Sequence, residues 1–163
     1  MKNTIVILLL LVTLTGYSQQ AQPAPAAPAY GEPVTLEAAK KIVAASEAYA
    51  RDKKWNVVIV IVDTGGNLVL LHKLDNTQIG SIDVAIGKAR TANNFKRPTK
   101  GFEDAVAGGG IGLRVLSLPN AVAIEGGEPI LIDGKIVGAI GVSGVQANQD
   151  GEVAKAGLAA LSR

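Results

Sequence analysis

The chain has 163 residues, 48% of them hydrophobic, with no cysteine, one histidine, and 16 Lys+Arg against 14 Asp+Glu for a formal charge of +2. That length and apolar content suit one domain with its own core, and the lack of cysteine excludes disulfides and thiol chemistry. The slight cationic excess is spread along the chain without a Lys/Arg run, so nothing supports nucleic-acid binding.

At the N-terminus Lys2 provides a positive start, Ile5 to Leu14 an apolar run, and Gly16-Tyr17-Ser18 small residues before Gln19. This pattern predicts a secretory signal peptide over 1–18, too short and wrongly flanked for a membrane anchor. With no cysteine after it, a lipid anchor is not expected. The mature protein is expected to be periplasmic or secreted, with no membrane span after signal cleavage. Residues 19–33 carry four of the seven prolines and read as a Pro/Ala-rich linker. The domain is expected over 34–163.

Thr35 is a candidate N-cap for a first helix running to about Asp52, with Leu36, Ala39, Ile42, Val43, Ser46, Tyr49 and Ala50 at helical spacing. Trp55 to Asp63 contains six consecutive β-branched residues, Val57 to Val62, the signature of a central strand covered on both faces. Asp63-Thr64-Gly65-Gly66-Asn67 then turns the chain into a second strand, Leu68 to Leu74. His72 lies in that strand, on the same side as Leu68, Leu70 and Leu74. It is either a hydrogen-bonded structural residue or an imidazole available to a ligand or metal.

Asp75, Asn76 or Thr77 is expected to cap a second helix, Gln78 to about Phe95, with Ile79, Ile82, Ile86, Ala89 and Asn93 on one stripe. Val84, Lys88, Thr91 and Phe95 form the neighbouring stripe. It reads either as a solvated helix edge or as the wall of a pocket for an apolar ring bearing carboxylates, with Lys88, Arg90 or Arg97 as anionic clamp. Pro98 ends the helix, and Thr99 is expected to cap a short one through Val106. The glycine-rich connection at 107–112 lacks the spacing of a phosphate loop. A third strand is expected within Leu113 to Ala123, centred on Asn120 to Ile124.

The stretch Gly126 to Asp150 organises the rest. Ile130 to Ile132 and Lys135 to Ser143 flank Asp133-Gly134, the residue pair of a tight hairpin turn. Gly138 and Gly141 inside the second run signal a bulge or close backbone approach. Ser143-Gly144 marks a strand end with free N–H groups, and Asn148 is expected to cap the last helix. The predicted fold is α/β of the α+β type: a single antiparallel sheet of about five strands with helices packed on it. Ser143 lacks the G-x-S-x-G setting of a nucleophile. The carboxylate pairs Glu125/Glu128 and Asp150/Glu152 read as a solvated turn and a helix start. No catalytic residue is assigned.

Four ordered blocks carry a resemblance: VDTGGNLVLLHKLD (62–75), KARTANNFKRPT (88–99), GGEPI (126–130) and DGKIVGAIGVSG (133–144). Over about Val34 to Leu161 they resemble the GlcG/HbpS-like family, the haem-degrading domain family. The resemblance implies a profilin-like α/β/α domain that self-associates into a homo-oligomer, with haem as cofactor. Some members are exported haem binders or are linked to haem breakdown or redox sensing; others sit beside glycolate or diol metabolism. It implies a cleft between the Lys88–Thr99 helix end, the Gly126-Gly127 turn and the Ser143-Gly144 strand end. The cofactor-binding candidates are His72, Lys88, Arg90, Thr91, Phe95, Arg97, Thr99, Gly126, Gly127, Ser143 and Gly144. His72 is the metal candidate, although other members carry Arg or His there. With no second histidine, bis-histidine ligation within one subunit is impossible, so His72, Lys88, Thr91, a tyrosine or a neighbouring subunit would meet the iron.

Two functions follow as expectations. One is an exported binder of haem or another small planar anionic ligand. The other is a binder of, or enzyme on, a small carboxylate or hydroxy acid in the same cleft, using its N–H groups as an anion nest. Set apart from both is a third reading, an oligomeric partner for an extracellular envelope sensor with no ligand chemistry of its own.

Overall fold

The computed structural model describes residues 26–162; the signal peptide read at 1–18 and the first part of the linker lie outside them. In chain order the elements are α1 (Leu36–Asp52), β1 (Val58–Asp63), β2 (Leu68–Lys73), α2 (Ser81–Asn94) and α3 (Lys100–Ala107). A 3-10 segment (Gly110–Ser117), β3 (Gly127–Ile132), β4 (Lys135–Ser143) and α4 (Ala147–Leu158) complete the chain before a short 3-10 tail. The sheet has four strands in the order β2-β1-β4-β3, every neighbouring pair antiparallel. No helix among the described residues is long and apolar enough to cross a membrane.

Strand β1 shows why six β-branched residues run together. Side chains alternate between faces, so Val57, Ile59 and Ile61 join Ile42, Val43, Ile140 and Val153 beneath α1 and α4. Val58, Val60 and Val62 pack on the other face against Ala85, Ala89 and Ala92 of α2. The result is three layers, with the sheet between α1/α4 and α2.

The expected fifth strand at Asn120–Ile124 does not form. The segment before it is 3-10 helical, and its own backbone donors go to side chains: Val122 N–H to Thr91 Oγ1 at 2.9 Å, and Glu125 N–H to Glu103 Oε2. With those groups satisfied away from a ladder, no strand is needed to bury them. Cap positions also shift. Thr35 caps α1 as expected, but α2 begins at Ser81 without a side-chain cap, leaving Ile79 outside it and 85% exposed. Thr77 instead donates to the Leu74 and Val57 carbonyls. Helix α4 is capped by Gln146, which forms a capping box with Gln149, and not by Asn148.

The tail end of the segment read as linker is docked. Gly31 N–H and Val34 N–H donate to the Ile136 and Val137 carbonyls, and the Tyr30 hydroxyl donates to Asn93 O at 2.7 Å.

The glycines of β4 are there for approach. A Cβ on Gly141 would stand 2.1 Å from the Ala85 carbonyl oxygen of α2, so only glycine lets helix and strand meet. Gly141→Ala is expected to lower stability by about 1–3 kcal/mol or more, read as a reduced urea midpoint. Gly80→Ala, whose Cβ would meet nothing within 4 Å, serves as the neutral control.

Candidate functional site

Lys88 is 1% exposed, although a lysine is almost never fully buried unless paired. Its Nζ donates to Asp150 Oδ2 at 2.8 Å and to the Val142 carbonyl at 3.0 Å. Asp150, 2% exposed at the start of α4, accepts from Val145 N–H through its other oxygen. Burial pushes the Asp150 carboxyl above its ordinary range, against the pull of Lys88 and of the Val145 and Gly144 amides.

Around this pair the chain is packed without gaps. A Cβ on Gly126 (φ +123°) would stand 2.7 Å from Val142 O and 3.0 Å from Lys88 Nζ, and one on Gly127 only 2.3 Å from Lys88 O. Thr99 Oγ1 accepts from Gly127 N–H at 2.9 Å in place of capping α3. Ser143 Oγ meets Ser81 Oγ at 3.3 Å, and Gly144 lies against the Asn56 carbonyl. Thr91 donates to Gly87 O and accepts from Val122 N–H. The structure therefore brings Lys88, Thr91, Thr99, Gly126, Gly127, Ser143 and Gly144 together, but as a closed knot and not as the walls of a cleft.

The other four candidates are dispersed. Arg90 Nε donates to Gly66 O, and the residue borders a separate pocket of about 640 Å³ with Asn94 and Asn120. Phe95 packs edge-on to Phe102, and Arg97 stacks over that Phe102 ring with Cζ 4.1 Å from its centroid. His72 lies in β2 across from α1, half-exposed, its Nδ1 2.9 Å from Glu47 Oε2. That hydrogen bond, followed by the Arg51 contact, holds the Glu47 carboxyl below its usual range.

Glu47 was not legible as a site residue. Its i,i+4 pairing with Arg51 is a local signal, but its contact with His72 spans 25 residues of sequence. It shapes a groove of about 520 Å³ lined by Lys40, Ala44, Glu47, Ala48, Arg51, Leu70 and His72. Ala44 and Ala48, one turn apart, contribute small exposed apolar side chains to it. Lys40 and Arg51 place cations along the same helical stripe. With Nδ1 committed to a carboxylate, Nε2 is the nitrogen left for a metal, the arrangement in which an outer carboxylate orients a histidine ligand.

Glu125 and Glu128 are also not a solvated turn: both are buried, with Lys155 Nζ at 3.4 and 3.8 Å. Burial raises the Glu128 carboxyl, only partly offset by Lys155.

Residues 34–159 match the family model described as haem degrading protein HbpS-like. The chain belongs to the HbpS-like family. Protein GlcG of Escherichia coli (strain K12) is 38% identical over 110 residues, covering 68% of this chain and 81% of GlcG. Among solved structures, an HbpS variant of Streptomyces reticuli superposes with a TM-score of 0.74 at 29% identity, covering 88% of this chain and 99% of HbpS. PduOC, crystallised in complex with haem, gives 0.71 at 27% identity, covering 78% of this chain and 94% of PduOC. The four-stranded antiparallel α+β architecture is thus that of this family.

Lys88→Met leaves the Asp150 charge buried and unpaired, so a loss of about 3–5 kcal/mol is expected in urea denaturation. Replacing both partners, Lys88→Met with Asp150→Leu, should recover much of that loss. Glu128 supplies a pH test. Its folded-state pKa lies above the unfolded value, so its contribution is fully present at low pH and is lost as pH rises through the folded pKa. Glu128→Gln is accordingly expected to raise the thermal midpoint at pH 7, and the gain should fade as pH falls toward the ordinary carboxylate value of 4.5.

Proposed function

We propose that this protein binds haem, with the ring in the α1–β2 groove and His72 Nε2 as the iron ligand. The observation that carries the reading is the 2.9 Å contact between His72 Nδ1 and Glu47, which fixes the tautomer and leaves the other ring nitrogen for a metal. The residues fit the group. Ala44, Ala48 and Leu70 offer apolar lining for the ring, and Lys40 and Arg51 the cations that would face the propionates. The volume falls within the range of about 300–1,000 Å³ common to cofactor sites. Membership of the HbpS-like family and the likeness to a haem-bound PduOC support the same cofactor. Bound haem would supply a redox-active iron whose potential is set by the axial ligand and its hydrogen bonds. Lys88, one of the three cations read in sequence as an anionic clamp, belongs in this reading to the structural knot.

Export of the protein rests on the pattern of Lys2 and the apolar run at 5–14. Self-association is supported by large apolar side chains left in water, Ile79 at 85% and Leu116 at 68% exposure. Haemin titration, followed by size-exclusion chromatography of the product, tests the proposal. A sharpened, shifted Soret band is expected for the native chain, absent in His72→Ala. Binding about 10–100-fold weaker is expected in Glu47→Gln, the loss typical of removing an outer-shell partner. An undiminished Soret band in His72→Ala would sink the assignment.

A further inference from the structure

Gly108, Gly109 and Gly112, from the connection that offered no phosphate-loop spacing, line one side of a cavity of about 700 Å³ between α3 and the 3-10 segment. It shares no lining residue with the α1–β2 groove. Gly109 and Gly110 have φ of +66° and +55°, a conformation that favours glycine, and a Cβ on either would meet nothing within 4 Å. The chain there turns tightly and leaves space unfilled.

The walls combine apolar side chains with charged and polar ones. Phe102, Val115, Leu118 and Ile111 supply its apolar part, Phe102 buried and Ile111 79% exposed. Two guanidinium groups border the cavity, Arg97 and Arg114. Neither is ion-paired among the described residues. Arg97 sits over the Phe102 ring, its Cζ 4.1 Å from the centroid, and its guanidinium N–H donors have no hydrogen-bond partner among the described residues. Asp104, the one carboxylate in the lining, is paired with Lys100 and so neutralises neither arginine. Two unpaired planar cations beside an aromatic wall match a ligand with a carboxylate at one end and an apolar body at the other. Inorganic phosphate would satisfy the cations but leave the apolar wall unused.

The geometry points to a second binding site, distinct from the haem groove, that takes a small organic acid with an aryl or branched-alkyl body between Arg97, Arg114 and Phe102. The experiment is titration of the full chain with phenylacetate, followed by amide NMR and calorimetry, beside phenylacetamide and inorganic phosphate. Saturable phenylacetate binding with shifts centred on Gly108–Gly112 is expected, and both controls should bind at least about tenfold more weakly, the scale of one charge-assisted contact. Arg114 is exposed, so Arg114→Gln should fold normally, weaken phenylacetate by about tenfold and leave the haemin Soret titration unchanged. His72→Ala should do the reverse. No saturation at millimolar phenylacetate, equal binding of the amide, or indifference to Arg114→Gln would overturn the site. Phenylacetate binding that persists when haemin fails to bind would uphold it while removing the haem reading.

Discussion

The buried contact between Lys88 and Asp150 is the constraint on which the remainder depends. α2 lies on one face of the sheet and α4 on the other, and this is the side-chain ion pair that ties them. Lys88 also donates to the Val142 carbonyl of β4, so three elements share one ammonium group. A charge so deeply placed is tolerable only with its partner present and its donors satisfied. The surrounding glycines follow from it. Gly126 and Gly127 leave room for the lysine and its backbone, and Gly141 lets α2 lie close enough for the side chain to reach past the strand.

That arrangement redirects the chemistry of the molecule. A lysine, two threonines and a serine on converging elements resemble a ligand cradle when seen along the chain. In three dimensions each is taken up by a neighbour in the fold: Thr91 by Gly87 and Val122, Thr99 by Gly127, Ser143 by Ser81. Donors already satisfied in a dry core have nothing left for a guest. Unpaired capacity lies instead at the periphery, at His72 beside α1 and at Arg97 and Arg114 beside α3. His72 stands on β2 and Arg114 on the 3-10 segment, while Arg97 lies in the bend between α2 and α3.

The two peripheral sites differ in kind. The α1–β2 groove has a nitrogen donor oriented by a carboxylate, which suits a metal-bearing ring. The α3 cavity has no nitrogen donor of that kind, but it has two guanidinium groups and an aromatic wall, which suit an organic anion. Cation placement alone would not separate these readings, since arginine borders both; the identity of the third group does.

Elements governed by local periodicity were legible in the sequence. The α1 stripe, with its Thr35 cap, follows from i,i+3/i+4 spacing. The two-faced burial of β1 follows from an unbroken β-branched run, and the β3–β4 hairpin from Asp133-Gly134, both at positive φ. Family membership was legible for the same reason, because its blocks are contiguous turns and strand ends. The tertiary structure alone decided which polar groups are free. Lys88 finds its partner 62 residues away and His72 finds Glu47 at a separation of 25. The 118–126 segment forgoes a strand because side chains from α2 and α3 reach its amides. Periodicity reports which face of an element is buried, but whether a buried donor is already satisfied depends on partners that only folding brings within 3 Å.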